Sequence, residues 1–341
     1  MARGLAPARA RGPRVRVAGV GHRAPARLRR GRGGPRRRGP GPRGGRAPDR
    51  AAAGRRAAPH RDDAGEHARH PAPPAARPER VVSRVVLLDL LPGGMDVNGD
   101  RGNVLALRRR LDWARIDAAV VTGDDRRWWA ARPDLVHVGG PSVAGQRAAL
   151  ARLAGQRAVL HEWVADGVPV LGVAGGFHLL LDRLLLPGDR VPVAGLGLLR
   201  GSSRPAARVS GFAVVETAIG RVHGYHNLGQ EAELDEGTEP WGRVLLGAGN
   251  APGRPDEGAA SGRVVGTNLH GPLLPRNPRV ADELLGVAAA RRGLDYRPGE
   301  RHRAVDRIAE RANAVLHARA AGRGSRSYVP ASAGTGLRRP V

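Results

Sequence analysis

Residues 81–318 read as one α/β domain, a parallel-rich sheet flanked by helices on both faces. Three observations carry that reading. Short apolar runs alternate along the chain with stretches of helical period. The run Val168, Val170, Leu171, Val173 drives straight into Gly175-Gly176, and a new apolar segment begins at Phe177. That order of strand, sharp turn and helix is the nucleophile-elbow arrangement. Turn glycines also close the run before the elbow, at Gly139-Gly140, and the one that ends near Leu269, at Gly271-Pro272.

The elements follow in order. Val81 to Leu91 is a strand, followed by Pro92-Gly93-Gly94 and a polar loop to Asn98. Asp100-Arg101-Gly102-Asn103 opens an amphipathic helix through Val104 to Arg108 that ends near Trp113. Asp117 to Thr122 and Asp134 to Val138 are the next strands, the latter ending in Gly139-Gly140-Pro141-Ser142. A long helix is predicted from Ala144 to Asp166, with Gly155 as its interruption, before the elbow strand and its helix. Beyond Pro187 the spacing shortens to strands at Phe212 to Thr217, Arg221 to Tyr225, Arg243 to Leu246 and Val264 to Leu269. Helices at Arg279 to Arg291 and Arg303 to His317 close the domain, and 319–341 is expected to be a loose tail.

The charge is concentrated at one end. The chain carries a formal +26, yet residues 1–80 hold 22 of its 57 basic and 5 of its 31 acidic residues, a surplus of 17. The remaining 261 residues hold 35 and 26, a surplus of 9. Every basic residue is Arg, set among Ala, Gly and Pro, which matches GC-rich coding better than a phosphate-binding surface mixing Lys and Arg. The distribution argues against a nucleic-acid partner. Residues 1–80 have almost no aromatic or β-branched side chains, cannot offset their ordering entropy by burial, and are predicted to be a disordered extension. His60, His67 and His70 lie there at a spacing that makes no metal site.

Two absences exclude whole chemistries. Without Lys there is no P-loop, no Schiff base and no Ser-Lys dyad. Without Cys there is no disulfide, no thiolate metal site and no thiol nucleophile, a composition compatible with the cytoplasm. No apolar run of about 18 residues marks a membrane span, and the N-terminus has no signal-type apolar region. No cofactor and no metal are expected.

Three features converge on the carboxyl ends of the strands, where ligands of open α/β sheets bind. The elbow tip is Ala174, where a hydroxyl or thiol is usual. Gly139-Gly140-Pro141-Ser142 offers backbone free of side chains, and His270 follows a short strand and precedes a Gly-Pro turn. Acyl transfer needs a nucleophile, a base and N–H donors for the developing negative charge. The base would be His270, and the oxyanion donors would be the amides of Gly140 and Gly175. Ser142, on the glycine loop, is read as having a backbone role in preference to a nucleophilic one. His178 is expected to face the pocket mouth or solvent, and His226 to sit on a surface loop.

At these residues the chain resembles class I, triad-type glutamine amidotransferases of the CobB/CobQ-like group, and within it the glutaminase subunits of lipid II isoglutaminyl synthases. The likeness spans about 84–316. It rests on Asn98 through Arg108, on Gly139-Gly140, on Val173 through Phe177 where the family has a Cys-Gly-Gly elbow, on Leu196 through Leu199, and on Gly266 through Pro272 followed by Pro275-Arg276-Asn277-Pro278. The resemblance implies the family's flavodoxin-like sheet. It also implies glutamine as substrate and a substrate-binding role for Arg208. A Cys thiolate activated by His releases ammonia there, for a Mur-ligase-like (MurT-type) ATP-using partner in peptidoglycan stem-peptide amidation.

Four departures stand against this pattern. Ala174 replaces the nucleophilic Cys; His178 stands where Gln is common; Gly224 through Gly229 lacks the family's Glu and His; and Pro141 through Gln146 lacks the usual charged residues. The expected reading is an amidotransferase-type subunit without glutaminase activity of its own. A non-catalytic scaffold or decaying paralogue, a cobalamin-pathway-like amidotransferase domain and, last, an Arg-rich RNA-binding protein are its alternatives.

Overall fold

The computed structural model describes residues 83–92 and 99–322, with side chains through 318. The extension predicted over 1–80, with His60, His67 and His70, lies outside the described residues.

The first sheet has six strands. β1 (Val85–Asp89), β2 (Ala118–Thr122), β3 (Leu135–Val138), β4 (Val170–Val173) and β12 (Val264–Thr267) run parallel, and β11 (Ala259–Ser261) closes one edge antiparallel. The order is β11-β12-β4-β3-β1-β2. β1, β3 and β4 are buried at every position, the signature of strands covered on both faces. Successive residues feed opposite cores, as a two-residue period requires. Val85, Leu87, Leu135, Leu171 and Val173 pack against α1 (Arg101–Trp113), α5 (Leu273–Arg276) and α6 (Pro278–Ala290). Leu88, Val136, Val138 and Val170 pack against α2 (Gln146–Leu153), α3 (Arg157–Ala165) and α4 (Gly175–Leu180).

Buried Arg110 ties α1 to both closing helices. It reaches Asp282 on α6 at 2.7 and 2.8 Å, and Asp306 on α7 (Glu300–Gly322) at 2.7 Å. A buried guanidinium is tolerable because each of its forks meets a carboxylate.

A second six-stranded sheet was not foreseen. It contains β5 (Leu181–Leu184), β6 (Val193–Ala194), β7 (Leu199–Thr217), β8 (Gly220–Leu234), β9 (Gly242–Leu246) and β10 (Asp256–Glu257). Its spine is the long antiparallel hairpin of β7 and β8, read from sequence only as the pieces 212–217 and 221–225. The reason is compositional: much of β7 is Arg, Ser, Gly and Ala, so its alternation is weak.

The long helix is broken by a 3₁₀ turn at Ala154–Gln156, at the interruption read at Gly155. Two boundaries differ. The elbow helix is only Gly175–Leu180, because the chain continues as strand β5, with Leu181 and Leu184 buried and Arg183 exposed, a case that apolar periodicity alone does not resolve. The last helix runs through Gly322, four residues into the stretch read as a tail.

Candidate active site

β4 delivers the chain to Ala174, whose backbone stands at φ 52° and ψ −116°. L-residues avoid this region, at a cost of about 1–3 kcal/mol, so the surroundings must impose it. The Ala174 N–H donates to the Thr267 carbonyl at 2.7 Å, which fastens the tip to the end of β12. On the far side the elbow helix rests on the glycine loop, backbone against backbone. A Cβ on Gly175 would lie 2.0 Å from the Pro141 carbonyl oxygen, and one on Gly176 would lie 2.0 Å from that of Val138. Only glycine permits this approach. The elbow predicted from sequence therefore forms with a methyl at its tip.

Ala174, Gly175, Arg208 and His270 line one cavity of about 190 Å³, together with residues 141–143, His178 and Asn227 through Gln230. Gly140 lies immediately behind: a Cβ there would sit 3.1 Å from that of Ala174. Its N–H donates to Asp100 Oδ2 at 2.7 Å, so this expected donor is already engaged by a carboxylate. Ser142 caps the following 3₁₀ turn, its hydroxyl accepting from the Gly145 N–H at 3.2 Å.

His270 is buried and anchored by its own N–H, which donates to the Tyr225 carbonyl at 2.8 Å. Its Nδ1 has no hydrogen-bond partner among the described residues. Burial, reinforced by the Arg208 guanidinium, lowers its pKa to about 4. The ring is neutral at pH 7, with an electron pair to offer and little proton affinity behind it. A thiolate at position 174 would oppose this shift, since a neighbouring anion favours the imidazolium; a methyl does not.

Arg208 stands where β7 is irregular, in the register shift between Pro205 and Val209 opposite β8. A bulge re-aims a side chain out of the regular ladder. Its Nη1 donates to Asn227 Oδ1 at 2.5 Å across the hairpin. Gln230, also on the wall, forms a reciprocal amide pair with buried Gln146 at 2.6 and 2.9 Å.

Of the two placements expected for His178, the structure shows the pocket: it is buried and lines the cavity. One histidine lies elsewhere than expected. His226 lies inside β8 instead of on a loop and accepts the Ala248 N–H at Nδ1 at 3.3 Å. Burial lowers both to about 4.

Sequence reasoning missed the bracing behind the site. Glu257 is fully buried, accepts the Asn268 N–H at 2.7 Å and the Thr267 hydroxyl at 3.0 Å, and is pushed up to about 7 by burial. It thus holds the segment that carries both the Ala174 anchor and His270. Asn103 Oδ1 accepts the Leu274 N–H at 2.8 Å, and Asn103 faces His137, which in turn meets Asp89 at 3.2 Å. The segment from Asn98 to Arg108 was noticed as a motif; among its described residues, Asp100 and Asn103 brace the glycine loop and the chain after the histidine. Glu257 carries no local signal at all, being one acid among turn residues.

Among the described residues no group of His, Cys, Asp or Glu is arranged to hold a metal ion. No helix there is long and apolar enough to cross a membrane.

A model of the CobB/CobQ-like glutamine amidotransferase domain matches residues 99–278. Subunit GatD of lipid II isoglutaminyl synthase (glutamine-hydrolyzing) from Staphylococcus aureus strain N315 is 33% identical over 209 residues, covering 60% of this chain and 85% of that protein. The corresponding GatD of Streptococcus pneumoniae strain R6 is 25% identical over 200 residues, 57% of this chain and 76% of that protein. A probable cobyric acid synthase from Methanoculleus marisnigri is 31% identical over 146 residues, 39% of this chain but only 27% of that larger protein.

Proposed function

The chain belongs to the CobB/CobQ-like glutamine amidotransferase family, and on that premise we propose that it is a GatD-like subunit that binds glutamine without hydrolysing it. The observation that carries the reading is Ala174, set in elbow geometry beside His270 in a chain with no cysteine. Two groups in the pocket support recognition. Arg208 at the wall suits the glutamine carboxylate, and Gly175, at the start of α4 and on the same wall, would offer its N–H to the amide oxygen. What is missing is the electron pair that would attack the amide carbon. Removing a triad nucleophile costs about a million-fold in turnover, and a neutral, weakly basic His270 is poorly suited to activating water instead.

Ammonia, in this reading, reaches the amidated product from solution or from another source, and the subunit serves an ATP-using, Mur-ligase-like partner that makes an amide in a peptidoglycan precursor. Support comes from the extent of the GatD match, which spans most of that protein, against about a quarter of the cobyric acid synthase.

The test is calorimetry with glutamine together with a glutaminase assay. Glutamine should bind the unaltered chain and release no ammonia above background. Arg208→Gln should weaken binding about tenfold, the loss of one charge-assisted pair. Steady ammonia release by the unaltered chain, or no glutamine binding at all, overturns the proposal.

A further inference from the structure

A larger cavity, of about 570 Å³, lies away from the elbow, between the β8 segment 221–223, the start of α6 and the last turns of α7. Its charge is one-sided. Arg221, Arg276, Arg279, His223 and His317 line it, and Glu310 is the one acid on its wall. Arg221 already pairs with Glu216 at 3.3 Å. Arg276 has no carboxylate partner among the described residues and meets only the Asn313 amide oxygen, at 3.4 Å. Arg279 has no ion pair there either. The His317 Nδ1 is buried without a hydrogen-bond partner among the described residues. The His223 and His317 rings meet edge to face, with centroids 6.4 Å apart.

The framework is built, not incidental. Asn277 clamps both backbone groups of His223, accepting its N–H at 2.8 Å and donating to its carbonyl at 2.7 Å. Asn313 donates to the Arg276 carbonyl at 2.9 Å. Ile219, Val222 and Ala314 supply apolar wall. Burial holds Arg276 below its ordinary range, and His223 is lowered by burial, by His317 and by its two nearest arginines. The His223 shift is what burial beside neighbouring positive charge produces.

We propose that this cavity is a second binding site, for a small organic anion whose carboxylate or phosphate head is gripped by Arg276 and Arg279 while its apolar body lies against Ile219, Val222 and Ala314. Guanidinium forks match either head group. The volume falls within the range of small-molecule sites, about 300–1,000 Å³. The chain's own C-terminal residues 323–341 are a poor occupant, since they carry four Arg and no Asp or Glu. The site shares no lining residue with the elbow cavity and does not depend on glutamine binding.

The experiment uses the full chain with ¹³C-labelled histidine rings, the His223 and His317 signals being assigned through His223→Gln and His317→Gln. Benzoate supplies the head and the body, benzamide the body alone, and inorganic phosphate the head alone. Benzoate should shift both signals saturably and raise the pKa of His223, phosphate should do so more weakly, and benzamide should not. Phosphate binding as tightly as benzoate would remove the apolar body from the proposal and overturn it in that form. Arg276→Gln and, at an exposed position, Arg279→Gln should each weaken benzoate at least about tenfold. Equal shifts with benzamide, or unchanged benzoate affinity in Arg279→Gln, overturn the assignment.

Discussion

Asp100 holds Gly140: the carboxylate Oδ2 takes the glycine N–H at 2.7 Å, across 40 positions of sequence. The first helix is thereby fastened to the loop that backs the elbow tip. Asp100→Ala leaves that buried N–H without its acceptor, at a cost of about 1–3 kcal/mol. Urea unfolding should show a lower midpoint with an unchanged slope.

Gly175 and Gly176 leave no room for a methyl. With a Cβ 2.0 Å from a carbonyl oxygen, either Gly175→Ala or Gly176→Ala must part the elbow from the glycine loop. Each should cost about 3 kcal/mol or more, at the top of the overpacking range. Gly155→Ala, whose Cβ would meet nothing within 4 Å, is the control and should leave the melting temperature near that of the parent.

Restoring a sulfur is the direct test of the elbow. Ala174→Cys would give a chain with a single thiol, since the natural sequence has none. Measurable ammonia release from glutamine is expected in that variant, and adding His270→Asn should lower it about 100- to 10,000-fold, the contribution of a positioned base. Iodoacetamide labelling of the lone thiol would report its pKa independently. Labelling unaffected by His270→Asn would show that the two groups do not act together.

Acid should destabilise the fold earlier than surface charge alone would. His178, His226 and His270 stand at about 4 in the folded chain through burial, against about 6.5 unfolded. Within that window the unfolded chain binds more protons, so stability is full above about 6.5 and is lost as pH falls toward 4. Glu257 works the other way. Raised to about 7, it binds a proton in the folded chain that the unfolded chain has released, so its contribution is present at low pH and is lost as pH rises through 7. Glu257→Gln removes this opposing slope. Its melting temperature should therefore fall more steeply between pH 6.5 and 5 than the parent's, and a parallel or shallower fall would contradict the burial of these groups.

What was legible in the sequence was whatever local pattern encodes. The short apolar runs at Val85–Asp89, Leu135–Val138 and Val170–Val173, set between stretches of helical period, made the parallel sheet readable, and the Gly-Gly after Val173 marked the elbow. The absent cysteine was equally plain, and it alone determined that no thiol stands at the tip. The second sheet was hidden because a hairpin rich in Arg, Ser and Gly has little hydrophobic contrast to read. The partners of the site were hidden for a different reason. Asp100 on Gly140, Asn103 on Leu274, Glu257 on Asn268 and Arg208 in its bulge are side-chain contacts whose meaning depends on which distant backbone group lies opposite. Hydrophobic period fixes which face of a strand or helix turns inward; only the packed fold decides which buried donor finds which acceptor.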